Sequence, residues 1–272
     1  MLYSHLSKIT DPAAPKFVFN NLHYEVITGS RSYGCNTPES DYDIYGFCIP
    51  PKEMVFPHLA FEIDGFGTRQ PKFHQFISSN LVADDGKVVE MQIFNIVRYF
   101  QLCMENNPNM LDSLFTPKDC IIKSTNIGNL VYKNRKMFLH KGLYTKFKGY
   151  AASQISKIKN KHPVGKRVKL VELFGYDTKY ALHLIRLLGE CEQLLTIRDM
   201  DLKANYTLLL SIRNGEWLME DIFKYFDSKI KELDKLFDKS LLPDYPDEVH
   251  IKGLLFTCLD MEYGKWDERI KK

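Results

Sequence analysis

A turn of small residues, Gly29-Ser30-Arg31-Ser32-Tyr33-Gly34, is followed by two carboxylates one residue apart in Asp41-Tyr42-Asp43. The turn suits a phosphate: it follows a strand-like run, His23 to Thr28, and opens a short helix whose free N–H groups can hold an anion. The triphosphate end of a nucleotide fits that cradle. The carboxylates suit a cation. Alternate side chains of a strand share a face, so Asp41 and Asp43 project together and repel. A divalent ion relieves the repulsion, and Mg²⁺ is the usual choice where carboxylates meet substrate phosphates.

Gly-Ser, a spacer and Asp-x-Asp mark the nucleotidyltransferases of the DNA polymerase β superfamily, and the string from Gly29 to Gly46 resembles one branch, the predicted nucleotidyltransferases associated with RNA repair. Further similarity lies in Asn107-Pro108-Asn109-Met110-Leu111-Asp112, in Gly175 to Arg186 and in Ile212 to Trp217, so the resemblance covers most of the chain. It implies a third carboxylate on a neighbouring strand. Glu90 fits best, because Val89, Met91 and Ile93 alternate with Glu90 and Gln92 as in a strand with one wet face. Many relatives carry Asp at that place. Asp84 and Asp85 sit beside Gly86 and read as a turn, while Glu62 and Asp64 show strand-like spacing and are the lesser alternative.

The implied reaction moves a nucleoside monophosphate from an NTP to an acceptor hydroxyl, releasing pyrophosphate. Gly29 and Ser30 would hold the β and γ phosphates; Asp41, Asp43 and Glu90 would bind Mg²⁺, with Mn²⁺ as substitute, in a two-metal scheme. ATP or CTP is the expected nucleotide. Lys179, His183 and Arg186 fall at i, i+4 and i+7, so they share one helix face and would neutralise the triphosphate. The plainer reading is a solvated basic stripe, and the resemblance favours the functional one. Arg213, beside an Asn-Gly turn, is a second-rank nucleotide contact. Arg31 either meets phosphate or pairs with Asp41 or Glu39 to hold the turn, and Asp177 caps a helix. The remaining histidines show no ligand spacing.

The chain has 272 residues, 44% hydrophobic and 26% charged, as in an ordinary soluble protein with a sizeable core. No apolar run reaches a membrane span and no secretory signal opens it, so no membrane partner and a cytoplasmic location are expected. Six scattered cysteines lack Cys-x-x-Cys or zinc spacing and read as buried thiols. A net charge of +3 decides little, but from Lys133 to Lys169 the chain carries only basic charge. Lys146, Lys148, Tyr150, Lys157, Lys159 and Lys161 stand in this block as candidate contacts for an RNA acceptor, cations to phosphates and rings to bases. The alternative is a helix with its aromatics in the core and its lysines in water.

Elements that position these groups follow from periodicity. An α+β layout is expected: a catalytic α/β unit over 1–126, a polymerase β-type palm with a short mixed sheet by resemblance, then a helical substrate-binding domain over 127–272. Asn95 caps a helix ending near Pro108; further helices run through Leu143 to Ile158, Ala181 to Leu195, Trp217 to Phe237 and Val249 to Met261. The segment from Phe61 to Phe76 carries no clear pattern. RNA repair makes an RNA 3′ end, such as a broken tRNA, the expected acceptor. Rival readings are an idle nucleotide- or nucleic-acid-binding protein, nucleotidylation of a protein or small molecule, and a toxin-like use of the same chemistry. Base preference and oligomeric state are open.

Overall fold

The structure, a computed structural model, describes residues 3–160 and 162–264. Five strands form one mixed sheet in the order β3-β4-β2-β1-β5: β1 (Leu22–Thr28), β2 (Tyr42–Cys48), β3 (Gln75–Val82), β4 (Val88–Asn95) and β5 (Ile121–Ser124). β1 lies antiparallel to β2 and β5, β2 runs parallel to β4, and β3 returns antiparallel along the outer edge. Gly46 sits where β1 and β2 press together; a Cβ there would lie 2.2 Å from the Tyr24 carbonyl oxygen.

Eleven helices accompany the sheet among the described residues: α1 (Lys16–Asn20), α2 (Lys52–Val55), α3 (Ile96–Met104), α4 (Pro108–Leu114), α5 (Asn126–Lys133), α6 (Gly142–Asn160), α7 (Lys166–Phe174), α8 (Thr178–Ile197), α9 (Tyr206–Arg213), α10 (Met219–Lys239) and α11 (Glu248–Tyr263). Their starts follow the expected chemistry. The Asn95 side chain accepts from the N–H of Val97, Asn107 caps α4 with Pro108 in its first turn, and Asp177 accepts from the N–H of Lys179. α8 is the central helix, with Ala181, Leu184, Ile185, Leu188 and Leu195 buried as their spacing predicts.

Each sheet face has its own apolar partner. Leu22, Ile27, Ile44, Met91, Ile93 and Ile122 meet Tyr3, Leu6 and Val18 of the amino-terminal segment. The other face carries Tyr24, Val26, Phe47 and Phe94 into a core that continues through α3, α4, α6 and α8 to Leu259 and Tyr263 on α11. All six cysteines are buried free thiols. None of the described helices is long and apolar enough to cross a membrane.

Some elements differ from expectation. Glu62 and Asp64 lie in an exposed loop, not a strand, and Glu62 pairs with Lys72 at 3.5 Å. β3, β5, α7 and α9 carry no signal in the sequence reading. α10 begins at Met219 and not at Trp217, because Leu218 has an extended backbone (φ −76°, ψ 151°) and serves as its N-cap.

Candidate active site

β1 delivers the signature loop and β2 the carboxylates. In the ladder Thr28 is opposite Asp43, and Asp43 is opposite Glu90, so Thr28, Asp43 and Glu90 form a row across three neighbouring strands on one face. Beside Glu90, β3 shifts register between Ser78 and Leu81, a bulge that brings Ser78 and Ser79 into the same pocket. Asp41 stands just before β2, at the rim; it does not line that pocket, but its charge reaches Asp43.

Gly29 closes the loop over this row. Its φ is +67°, and a Cβ built there would stand 2.1 Å from Asp43 Oδ2, so only glycine lets the loop lie directly on the carboxylate. Gly29, Ser30 and Arg31 make a single 3-10 turn. Ser32 Oγ donates to the Gly29 carbonyl at 2.8 Å, and the N–H of Cys35 returns to the Ser30 carbonyl at 2.9 Å. Arg31 is buried; it donates to the backbone carbonyls of Ser40 and Asp41 and lies 4.0 Å over the Tyr42 ring. Its observed contacts brace the loop. Arg213 braces it from α9, donating to the Cys35 carbonyl and, at 3.5 Å, to Thr37 Oγ1.

Burial, then the charges of Glu90 and Asp41, push the Asp43 carboxyl up to about 6, while Lys179 and Arg31 pull it back. Among the described residues no side chain donates a hydrogen bond or an ion pair to the carboxylates of Asp41, Asp43 or Glu90. Nor is any group of three His, Cys, Asp or Glu side chains gathered closely enough to hold an ion unaided. That arrangement fits Mg²⁺, which takes one or two carboxylates and completes its shell with water and substrate phosphate.

The basic face of α8 divides by role. Lys179 is exposed, and its charge is felt at Asp43. His183 lines the pocket, but desolvation and the cations Arg186, Arg167, Lys179 and Lys157 hold its pKa down to about 3, so it stands there as a neutral imidazole. Arg186 also lines the pocket, yet its guanidinium is engaged from behind. It donates to Asp112 and to both oxygens of Glu190, at 3.0 and 2.9 Å, and lies 4.6 Å over the Tyr33 ring. Tyr33 donates to the same Asp112 oxygen at 2.6 Å. Burial raises Asp112 and pushes Glu190 well above the carboxylate range, Arg186 opposing both, so the two carboxyls share a proton and the larger shift places it towards Glu190. Asp112 Oδ1 and Arg186 Nε are left without partners. This cluster ties the signature loop to α4 and α8. Nothing in the Asn107 to Asp112 block assigns Asp112 a role from sequence alone; the i, i+4 spacing of Arg186 and Glu190 is the signal for the other half.

The basic block is partly spent in ion pairs within the chain. Arg135 and Lys136 reach Asp199, Lys141 reaches Asp244, Lys148 reaches Asp234 and Arg167 reaches Asp177. Phe138, Tyr144 and Phe147 are core residues, as the plainer reading of the aromatics held. Lys146 is exposed, Lys159 lies 4.8 Å over Phe223, and Tyr150 and Lys157 line a cavity beside the carboxylate pocket. Lys161 lies outside the described residues.

A family model described as the RNA repair pathway DNA polymerase beta family matches residues 11–224. An uncharacterised 38.9 kDa protein from the nrdC–mobD intergenic region of enterobacteria phage T4 is 27% identical over 131 residues, 47% of this chain and 36% of that protein. The chain thus matches about a third of the length of that relative. A nucleotidyltransferase-like protein from Exiguobacterium sibiricum aligns over 82% of this chain and 71% of its own, at 9% identity and a TM-score of 0.31.

Proposed function

The chain belongs to the RNA repair pathway DNA polymerase beta family, a nucleotidyltransferase family, and from that premise we propose that it transfers a nucleoside monophosphate from an NTP to the 3′ hydroxyl of an RNA. The observation that carries this reading is the Asp43–Glu90 pair, in register under the Gly29 loop and without a protein cation on either carboxylate. Asp43 and Glu90, with Asp41 at the rim, would hold Mg²⁺. When bound, that ion offsets charge on the transferring phosphoryl group and lowers the pKa of the attacking hydroxyl.

The chain's own groups do the rest by position and charge. The loop at Gly29 and Ser30 receives the terminal phosphates, and Lys179 offsets the charge that gathers on the leaving pyrophosphate. His183, neutral, offers an N–H rather than a charge. The acceptor oxygen forms a bond to the α-phosphorus as the bond to pyrophosphate breaks, and the hydroxyl proton leaves to solvent. No protein base is required.

Incubating the protein with α-labelled NTPs, Mg²⁺ and either RNA or protein acceptors tests the reading. Label at RNA 3′ ends, lost in Asp43→Asn, is the expected result. Label on protein alone overturns the RNA acceptor; RNA binding without pyrophosphate release, unaltered by Asp43→Ala, overturns the enzyme in favour of an idle binding protein.

A further inference from the structure

Between the two signature acids stands Tyr42, and it faces the other way. Its side chain is 4% exposed and packs with Tyr3 and Ile44, as alternation along β2 requires when Asp43 lines the pocket. Two cations lie against its ring, the Arg31 guanidinium at 4.0 Å and the Lys87 ammonium at 5.7 Å. Its hydroxyl donates to Asp85 Oδ2 at 2.8 Å, and the Lys87 ammonium donates to the same oxygen. Asp85 is itself held in the β3–β4 turn. Its Oδ1 accepts from the Lys87 backbone N–H at 3.2 Å, and the turn is closed by the Gly86 N–H on the Ala83 carbonyl at 2.8 Å. The Lys87 hydrogen bond chiefly, with that of Tyr42, holds the Asp85 carboxyl down to about 2 against burial, so it is ionised.

We infer that Tyr42 and Asp85 are positioning residues, which clamp the backbone at Asp41 to the hairpin leading into Glu90 and so set the spacing of the carboxylates; the inference rests on the metal-binding reading above and deepens it. A phenol that donates to a carboxylate has a more negative ring face, which holds a cation more firmly. Arg31 carries that hold to the loop. It donates to the Ser40 and Asp41 carbonyls, the backbone from which the Asp41 carboxylate projects. Asp85 lies at the other end of the chain of contacts, in the turn before β4. Neither Tyr42 nor Asp85 lines the carboxylate pocket, so both act through Arg31 and the strands.

Mn²⁺ binding to the full chain, read from water-proton relaxation, tests the clamp in wild type, Tyr42→Phe, Asp85→Ala, Asp85→Asn and the double variant Tyr42→Phe/Asp85→Ala, with urea unfolding in EDTA beside it. Tyr42→Phe and Asp85→Ala should each weaken Mn²⁺ binding on the order of tenfold, as the loss of outer partners of metal ligands does. The double variant should bind no more weakly than the weaker single one, because both changes break one link. Asp85→Asn still accepts from Tyr42 without the charge, and its affinity should fall between wild type and Asp85→Ala. Mn²⁺ affinity unchanged in the single variants, whatever their stability, would overturn the inference. Losses that add in the double variant would overturn it too, since they mark two separate structural effects. Failure of wild type to bind Mn²⁺ would overturn the metal-binding reading itself, and the clamp with it.

Discussion

Replacing Asp43 with Asn should make the metal-free protein more stable at neutral pH while abolishing its response to Mg²⁺. The Asp43 carboxyl titrates at about 6 against an ordinary 3.8, chiefly because it is buried beside Glu90 and Asp41. Its folded value is raised, so the folded chain holds the extra proton between those limits. The associated stability is complete below pH 3.8 and is lost as pH rises through about 6. At about 1.4 kcal/mol per factor of ten, ionising Asp43 in place costs the fold up to about 3 kcal/mol. Asparagine is neutral and nearly isosteric, so Asp43→Asn escapes that cost. Urea unfolding in EDTA at pH 7.5 should show the variant more stable by about 1–3 kcal/mol, with the difference fading near pH 4. Saturating Mg²⁺ should reverse the order, because wild type gains about 4.1 kcal/mol at a thousand times Kd and the variant gains little. A variant less stable than wild type in EDTA, or stabilised equally by Mg²⁺, would refute the electrostatic account of this site.

Gly29→Ala should destabilise the fold by about 1–2 kcal/mol, since it forces a side chain into a left-handed conformation, and should weaken Mg²⁺-dependent NTP binding more than Ser32→Ala does; calorimetry reads both. Within the buried cluster, Glu190→Gln should be almost silent in thermal melts because that side keeps a proton, whereas Asp112→Asn, which leaves Arg186 short of a counter-charge, should lose about 3 kcal/mol. Glu25, buried on β1 opposite Lys123 in β5, titrates at about 7 because of desolvation, so its contribution to stability is lost as pH rises through that value. Glu25→Gln should therefore unfold at higher urea than wild type at pH 8.5, by up to about 3 kcal/mol, and match it near pH 4.

The strands of the candidate site are the ones that could be read. β2 and β4 alternate, which puts Asp43 and Glu90 each on one face of its strand, but the need for a second-strand carboxylate comes from the family resemblance, and the register that sets the two side by side is seen only in the fold. β3 escapes because an edge strand with Ser78 and Ser79 facing a pocket has no clean apolar face, and Ile77 on it is exposed. α7 escapes for a related reason: Leu173 is exposed and no apolar stripe repeats along it. The role of Arg186 was hidden by distance along the chain, since its partner Asp112 is 74 residues away. The same applies to the basic block, whose one-sign composition is plain but whose counter-charges Asp199, Asp234 and Asp244 arrive from beyond it. Helix periodicity shows which face is wet and not which acid will be waiting there.

The apolar interior that passes from Tyr24 on the sheet to Leu259 on the last helix has a bearing on turnover. Parts fastened along such a seam resist rocking about a hinge, because each opening would part packed apolar surface. On the nucleotidyltransferase reading, a ligand would then meet a mould already set when the chain folds. Coupling of this kind also makes the Asp43–Glu90 row and the basic face of α8 melt together, with neither outliving the other.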